Sequence, residues 1–218
     1  MANLPKRPVP VFPLPGVVLF PHAVMPLHIF ELRYRTMVRD ALSGERVIAL
    51  ATLKPGWEAD YQGSPAFHEI GCVAEFDEVH WLPNDCYDLR LRGVIRARFT
   101  KVAREFPYRA CEVELMRSSP YDEDDPLARM ERRALLETTQ SLLPLGERFW
   151  TQPPLSPDGA DFETIVNTIA QATRLPTETR LELLGIDSVF DRARRLHELL
   201  KTIPAGPASP PEQDLGRN

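Results

Sequence analysis

Prolines at positions 10, 13, 15, 21 and 26 interrupt the otherwise apolar run VPVFPLPGVVLFPHAVMPLHIF, and no other feature restricts the fold as much. Proline lacks the ladder N–H, suits edge strands, strand starts and turns, and costs about 3 kcal/mol inside a helix. The run can therefore be neither one long helix nor one central strand. It divides into extended pieces at Val9 to Phe12 and Val24 to Ile29, separated by a turn at Pro15-Gly16 and by the Phe20-Pro21 step. In such a turn proline presets its φ and glycine supplies the positive one. The irregular backbone between the pieces is expected to bury Val17, Leu19, Phe20, Leu27 and Phe30.

The period then changes twice. FELRYRTMVRDALSG reads as an amphipathic helix, with Glu31 in its first turn and Gly44 as its C-cap. From Arg46 the period is two: RVIALATL, EIGCVAEFDEVHWL, YDLRLRGVIRARFTKV and YRACEVELMR read as strands of a meandering antiparallel sheet. Turns fall at Pro83-Asn84-Asp85 and Glu105-Phe106-Pro107. After Pro120 the pattern is helical. Asp125 as N-cap and Pro126 at the first helical position form a helix-start signal. Phe162, Ile165, Val166, Ile169 and Thr173 share a helical face, Gly185 closes a short helix from Thr177, and Asp187 is read as the cap of a last helix carrying Val189, Ala193, Leu196 and Leu200. The expected organisation is α+β: a mainly β half over residues 1–120, a helical bundle over 121–203 and a disordered Pro/Gly/Ser-rich tail over 204–218.

Composition removes several function classes. At 43% hydrophobic and 26% charged, the 218-residue chain can build a real core, and its formal charge of −5 gives no global pull towards nucleic acid or anionic membranes. No apolar run reaches the roughly 18 residues of a membrane span, and the N-terminus lacks a secretory h-region, so a cytoplasmic location is expected. Cys72, Cys86 and Cys111 are read as reduced thiols, and no His or Cys spacing suits a metal.

The opening signature resembles the Lon protease N-terminal domain family. The family pattern is carried by the turn at Pro15-Gly16, the step Leu19-Phe20-Pro21, then Pro26, Leu27, Phe30 and Glu31, and Tyr34 after an arginine. Ile70-Gly71-Cys72-Val73-Ala74-Glu75 matches a further family strand, as does Pro107 to Val113. The chain departs from the pattern where His22 replaces the usual glycine, where Asn84-Asp85 stands for an Asp-Gly turn, and where a Lys-Gln pair is absent around Thr179. The resemblance implies a PUA-like, mainly antiparallel β-barrel followed by a C-terminal α-helical bundle, and a role in binding polypeptide segments or a partner protein. A full Lon protease needs a Gly-x-x-x-x-Gly-Lys-Ser/Thr loop to cradle ATP phosphates. Lys6, Lys54, Lys101 and Lys201 lie in no such loop and no Ser/Lys protease domain is present. The expectation is a stand-alone, non-catalytic member without cofactor.

Three candidate sites compete. Residues 54–69 form a long loop with Trp57, Tyr61 and Phe67, aromatics that either pin the loop or serve as contact anchors on a surface between barrel and bundle. Arg90, Arg92, Arg96 and Arg98 share nominal parity on one strand, which invites RNA binding. Asp77 and Glu75 near Arg92, and Glu112 and Glu114 near Arg98 and Arg96, are expected to neutralise them, unless a bulge at Gly93 flips the parity. Nucleic acid is thus not the expected partner. Cys86, with His80, Asp85 and Asp88 close in sequence, suggests a thiol hydrolase only if those groups converge.

Overall fold

The computed structural model describes residues 8–61, 63–142 and 159–202. The proposed tail at 204–218 lies outside them. Strands β1 (Val9–Leu14) and β2 (Val24–Ile29) flank the proline-rich crossing, and α1 (Leu32–Ser43) follows. Next come β3 (Val47–Thr52), a short 3-10 turn (Trp57–Asp60), β4 (Ile70–Trp81), β5 (Tyr87–Arg104) and β6 (Ala110–Met116). Four helices complete the described chain: α2 (Pro126–Leu142), α3 (Phe162–Ala172), α4 (Thr177–Gly185) and α5 (Val189–Thr202).

The six strands lie in the order β2-β5-β4-β3-β1-β6, and β6 pairs with β5 as well. The sheet is not a simple antiparallel meander, because β1 runs parallel to β3. A parallel pair needs a crossover between its strands, and the proline-rich crossing with β2 and α1 supplies it. At 18 residues β5 outruns its neighbours: β4 covers one of its edges, while β2 (opposite Tyr87–Arg92) and β6 (opposite Arg96–Arg104) share the other.

The crossing satisfies its irregular backbone by borrowing partners from the helices. Phe20 N–H donates to Gln171 Oε1 at 3.1 Å, and the Val18 carbonyl accepts from Arg180 Nη2 at 2.7 Å. Thr52 Oγ1 donates to the Val17 carbonyl at 2.6 Å. Buried backbone groups must be paired somewhere, so these contacts allow Leu19 and Phe20 to be buried without a ladder. Val17 and Leu27 are half-buried, and Phe30, expected in the core, is 63% exposed. Ile29 takes the buried place instead, because Phe30 lies beyond the last pairing of β2 with β5.

Two glycines are fixed by close approach. A Cβ on Gly71 would collide with the Leu50 carbonyl, and one on Gly93 with the Phe20 carbonyl. His22 and Asp85 hold left-handed backbone, φ 68° and 62°, at the positions where the family pattern carries glycine. Helix starts follow the sequence in one case and miss by one residue in another. Asp125 Oδ1 accepts from Leu127 N–H at 2.8 Å, as its capping role requires, whereas α5 is capped by Ser188 Oγ, which accepts from Asp191 N–H at 3.2 Å. Asp187 instead pairs with Arg96 at 3.0 Å. The largest cluster of buried side chains joins sheet and bundle, running from Phe12, Phe20 and Leu91 to Phe162, Leu183 and Leu196.

Candidate functional site

Tyr61, with Trp57 on its ring, settles against the start of α1 rather than against the bundle. Glu31, the residue before α1, accepts from the Tyr61 hydroxyl at 2.6 Å and from Arg33 Nε at 3.0 Å. Arg33 Nη2 also donates to the Tyr61 carbonyl at 3.0 Å. Burial, reinforced by the bond to Glu31, pushes the Tyr61 phenol up to about 12, so it remains a hydrogen-bond donor. Trp57 packs edge-on against Tyr61 at 5.3 Å and is half-buried. Phe67 faces elsewhere, edge-on to Phe99 at 5.2 Å, with the Arg109 guanidinium 4.6 Å above its ring.

The same corner gathers apolar groups that periodicity did not single out. Phe30 and Leu32 flank Glu31 and are 63% and 69% exposed, and Trp81 at the end of β4 is 69% exposed. Trp81 pairs with Tyr87, which pairs with Ile29, so β4 ends about 10 Å from β2 across two strand spacings. Asp85 ties this turn to the helix: one carboxylate oxygen accepts from Trp81 Nε1 at 3.2 Å, the other from Arg35 at 2.9 Å. On the outer face of β2 and β5 a shallow cavity of 370 Å³, lined by Pro26, His28, His80 and Asp88, leads towards Phe30, whose ring stacks on His28 at 6.1 Å. The signal for this corner was available as two large apolar residues beside helix-start and turn positions, where burial is not assured.

The arginine strand divides at a bulge. Ala74 pairs with Gly93 and Val73 with Ile95, leaving Val94 as the extra residue, so parity flips between Arg92 and Arg96. Arg92 sits opposite Glu75 and pairs with it at 2.8 Å, and Arg90 pairs with Glu78 at 3.2 Å and Asp77 at 3.4 Å. Arg96, expected beside Glu114, lies opposite Met116 and is 1% exposed. It donates to the carbonyls of Leu184 and Ile186, each at 3.0 Å, and of Arg117 at 3.3 Å. Arg98 is the residue opposite Glu114. Two more guanidiniums, one buried and one largely so, lie at the junction: Arg192, on Asn167 Oδ1 at 2.7 Å and Ser118 Oγ at 3.4 Å, and Arg180, on the Val18 carbonyl, whose burial lowers it to about 10. Arg90, Arg92, Arg96 and Arg98 thus form no continuous cationic stripe.

The groups near Cys86 do not converge on it. Asp85 holds Arg35 and Trp81, Asp88 holds His28 at 2.6 Å, and His80 lies 3.9 Å from Glu78. The Cys86 thiol reaches the Asn84 carbonyl at 3.8 Å. Cys72 and Cys111 are buried free thiols, pushed by desolvation up to about 12 and about 11.

Residues 8–202 match the family described as the ATP-dependent protease La (LON) substrate-binding domain. The chain belongs to that family. It is 30% identical over 111 residues to the Lon protease of Syntrophomonas wolfei, covering 51% of this chain and 14% of the relative. It is 23% identical over 193 residues to the Lon protease of Heliobacterium modesticaldum, covering 88% of this chain and 23% of the relative. The chain therefore spans less than a quarter of the length of these relatives. Its fold is similar to a Lon N-terminal domain protein from Xanthomonas campestris (TM-score 0.62, 24% identity, 91% of this chain and 99% of that one). It is also similar to the N-terminal domain of a Mycobacterium avium complex Lon protease (TM-score 0.61, 18% identity, 90% and 99%). Among the described residues no helix is long and apolar enough to cross a membrane.

Proposed function

We propose that this Lon-type domain is a non-catalytic polypeptide-recognition module whose contact surface is the corner formed by Phe30, Leu32, Trp57 and Trp81. The observation that carries the reading is the exposure of Phe30, Leu32 and Trp81 around one helix start, in a family defined by substrate binding. Large exposed apolar groups held on a rigid frame are what an anchor surface for unfolded chain requires. The frame is rigid because Glu31, Arg33 and Tyr61 lock the loop to α1, and Asp85 locks the β4–β5 turn to it. Tyr61 supports the surface and Trp57 contributes to it, while Phe67 pins the far end of the loop to Phe99. The same reading takes the ring of pairings that returns from β6 to β5 as the PUA-like barrel implied by the resemblance.

The test is a titration of the protein with fluorescently labelled reduced, carboxymethylated α-lactalbumin and with the native form. Binding of the unfolded form, weakened in Trp81→Ala and Phe30→Ser and nearly independent of salt, is the expected result. Equal affinity for both forms, or a steep salt dependence, would overturn it. The purified protein is also expected to hydrolyse no ATP and degrade no casein, which a coupled phosphate assay and gel electrophoresis check.

A further inference from the structure

The second edge of β5 has a notch. β2 pairs as far as Arg92 and β6 begins opposite Arg96, so the bulge at Gly93 to Ile95 lies between two strand ends. The Phe20 to Ala23 turn closes one side of it, with His22 N–H donating to the Gly93 carbonyl and Gly93 N–H to the Ala23 carbonyl, at 2.8 and 2.9 Å. The segment leaving β6 closes the other. Between them opens a pocket of 460 Å³ with an apolar wall that includes Val94, Ile95 and Met116, and a polar side made by Arg96, Arg117 and Glu163. That volume is within the range of about 300 to 1,000 Å³ usual for ligand sites.

The charges at this pocket are unevenly committed. Asp187 is held by Arg96 at 3.0 Å, and Glu163 is held by Arg192 at 3.3 Å and by the Ser118 hydroxyl at 2.6 Å. Each acid thus answers an inner guanidinium. Arg117 and His22 line the mouth, are both exposed, and make no side-chain hydrogen bond or ion pair with the described residues. His22 is moreover held at φ 68°, a conformation a β-carbon disfavours by roughly 1 to 2 kcal/mol. A side chain kept at such a position against its backbone preference is a pointer to function.

We propose that this pocket captures the C-terminal carboxylate of a bound polypeptide, with Arg117 and His22 taking the carboxylate and the last apolar side chain resting on Val94, Ile95 and Met116. One uncommitted guanidinium matches one carboxylate fork to fork, and the apolar wall requires a hydrophobic group attached to that anion. A chain terminus carries both, and terminal capture is a recurring mode of peptide recognition. The proposal rests on the polypeptide-recognition reading and deepens it with a second, chemically distinct subsite.

The experiment titrates the protein with a fluorescein-labelled apolar octapeptide ending in leucine, prepared as the free acid and as the C-terminal amide. The acid is expected to bind at least about tenfold more tightly, the scale of one charge-assisted pair. Arg117→Ala removes that difference and leaves the amide unchanged, and Arg117→Lys restores part of it. His22→Gly raises Tm while weakening acid binding, a combination that a purely structural role would not give. Equal affinity for acid and amide, or an acid preference that survives Arg117→Ala, overturns the proposal. If acid and amide bind equally but both depend on Trp81, the corner stands and the pocket falls. If the acid binds through Arg117 and Trp81→Ala changes nothing, the pocket stands and the corner falls.

Discussion

The junction between sheet and bundle and the corner at the start of α1 both interrupt regular structure, yet they resolve the interruption in opposite ways. At the junction, buried guanidiniums from Arg96, Arg180 and Arg192 satisfy backbone carbonyls that no ladder reaches. At the corner, apolar groups stay in water while the polar groups beneath them, Glu31, Arg33, Tyr61 and Asp85, do the holding. Charge is inside and hydrophobic surface outside. A buried ion is costly unless it is paired and hydrogen-bonded, and Arg96 and Arg192 each spread their donors over several acceptors, so the junction is structural. An exposed apolar cluster on a well-braced frame gains nothing for folding, which leaves it available for contact.

The widest separation of the two regions is expected in stability. Replacing Arg96 with methionine strands the Leu184 and Arg117 carbonyls, takes the ion pair from Asp187, and costs about 3 to 5 kcal/mol, as for a broken buried pair. The same change at Arg90, whose partners are exposed, stays within about 0.5 kcal/mol. Phe20→Ala likewise costs about 3 to 5 kcal/mol, the range for large core aromatics, and Phe30→Ala within about 0.5 kcal/mol. Urea denaturation of the four variants measures all of this. A Phe30 variant as unstable as the Phe20 variant would place the corner in the core and remove the contrast.

Binding should invert the order. Trp81→Ala is expected to weaken association with unfolded lactalbumin by about 2 kcal/mol, the cost of losing an aromatic anchor, with Trp57→Ala smaller because its ring is already half-covered. Fluorescence titration beside thermal melts separates affinity from stability. Weaker binding that tracks a lowered Tm would show that these rings support the frame rather than the ligand.

Local patterns make most elements legible: the period-two runs mark β3 to β6, and the Asp125-Pro126 pair marks the start of α2. Non-local consequences are not. The parallel pairing of β1 with β3 depends on where a crossing returns, and no residue in β1 encodes that. The fate of Arg96 turned on one unpaired residue, Val94, which moved it from an expected surface row to the buried junction. Gly93 marked the place, since close approach of the Phe20 carbonyl demands a glycine there. Phe30 misled because a helix-start residue inside an apolar signature reads as core, whereas the strand ends one residue earlier. The loop aromatics are visible in the sequence, but the attachment of Tyr61 to Glu31 crosses thirty positions and only the fold brings the two together.

The smallest predicted effect tests how the corner is braced. Asp85 sits at φ 62°, where glycine would relieve roughly 1 kcal/mol of backbone strain. Its carboxylate meanwhile holds Arg35 at 2.9 Å, Arg39 at 3.5 Å and Trp81 Nε1 at 3.2 Å, partly exposed contacts that together return a similar amount. Asp85→Gly should therefore leave the unfolding midpoint nearly unchanged. Asp85→Asn keeps a residue type that tolerates left-handed backbone but loses the ion pairs, so it should be less stable than either, by about 0.5 to 1 kcal/mol. In Asp85→Gly the Trp81 ring loses its tether, and its fluorescence anisotropy decay should shorten while stability holds. A clearly stabilised Asp85→Gly variant with an unchanged decay would mean that the carboxylate contacts contribute nothing, and that packing alone holds Trp81 in place.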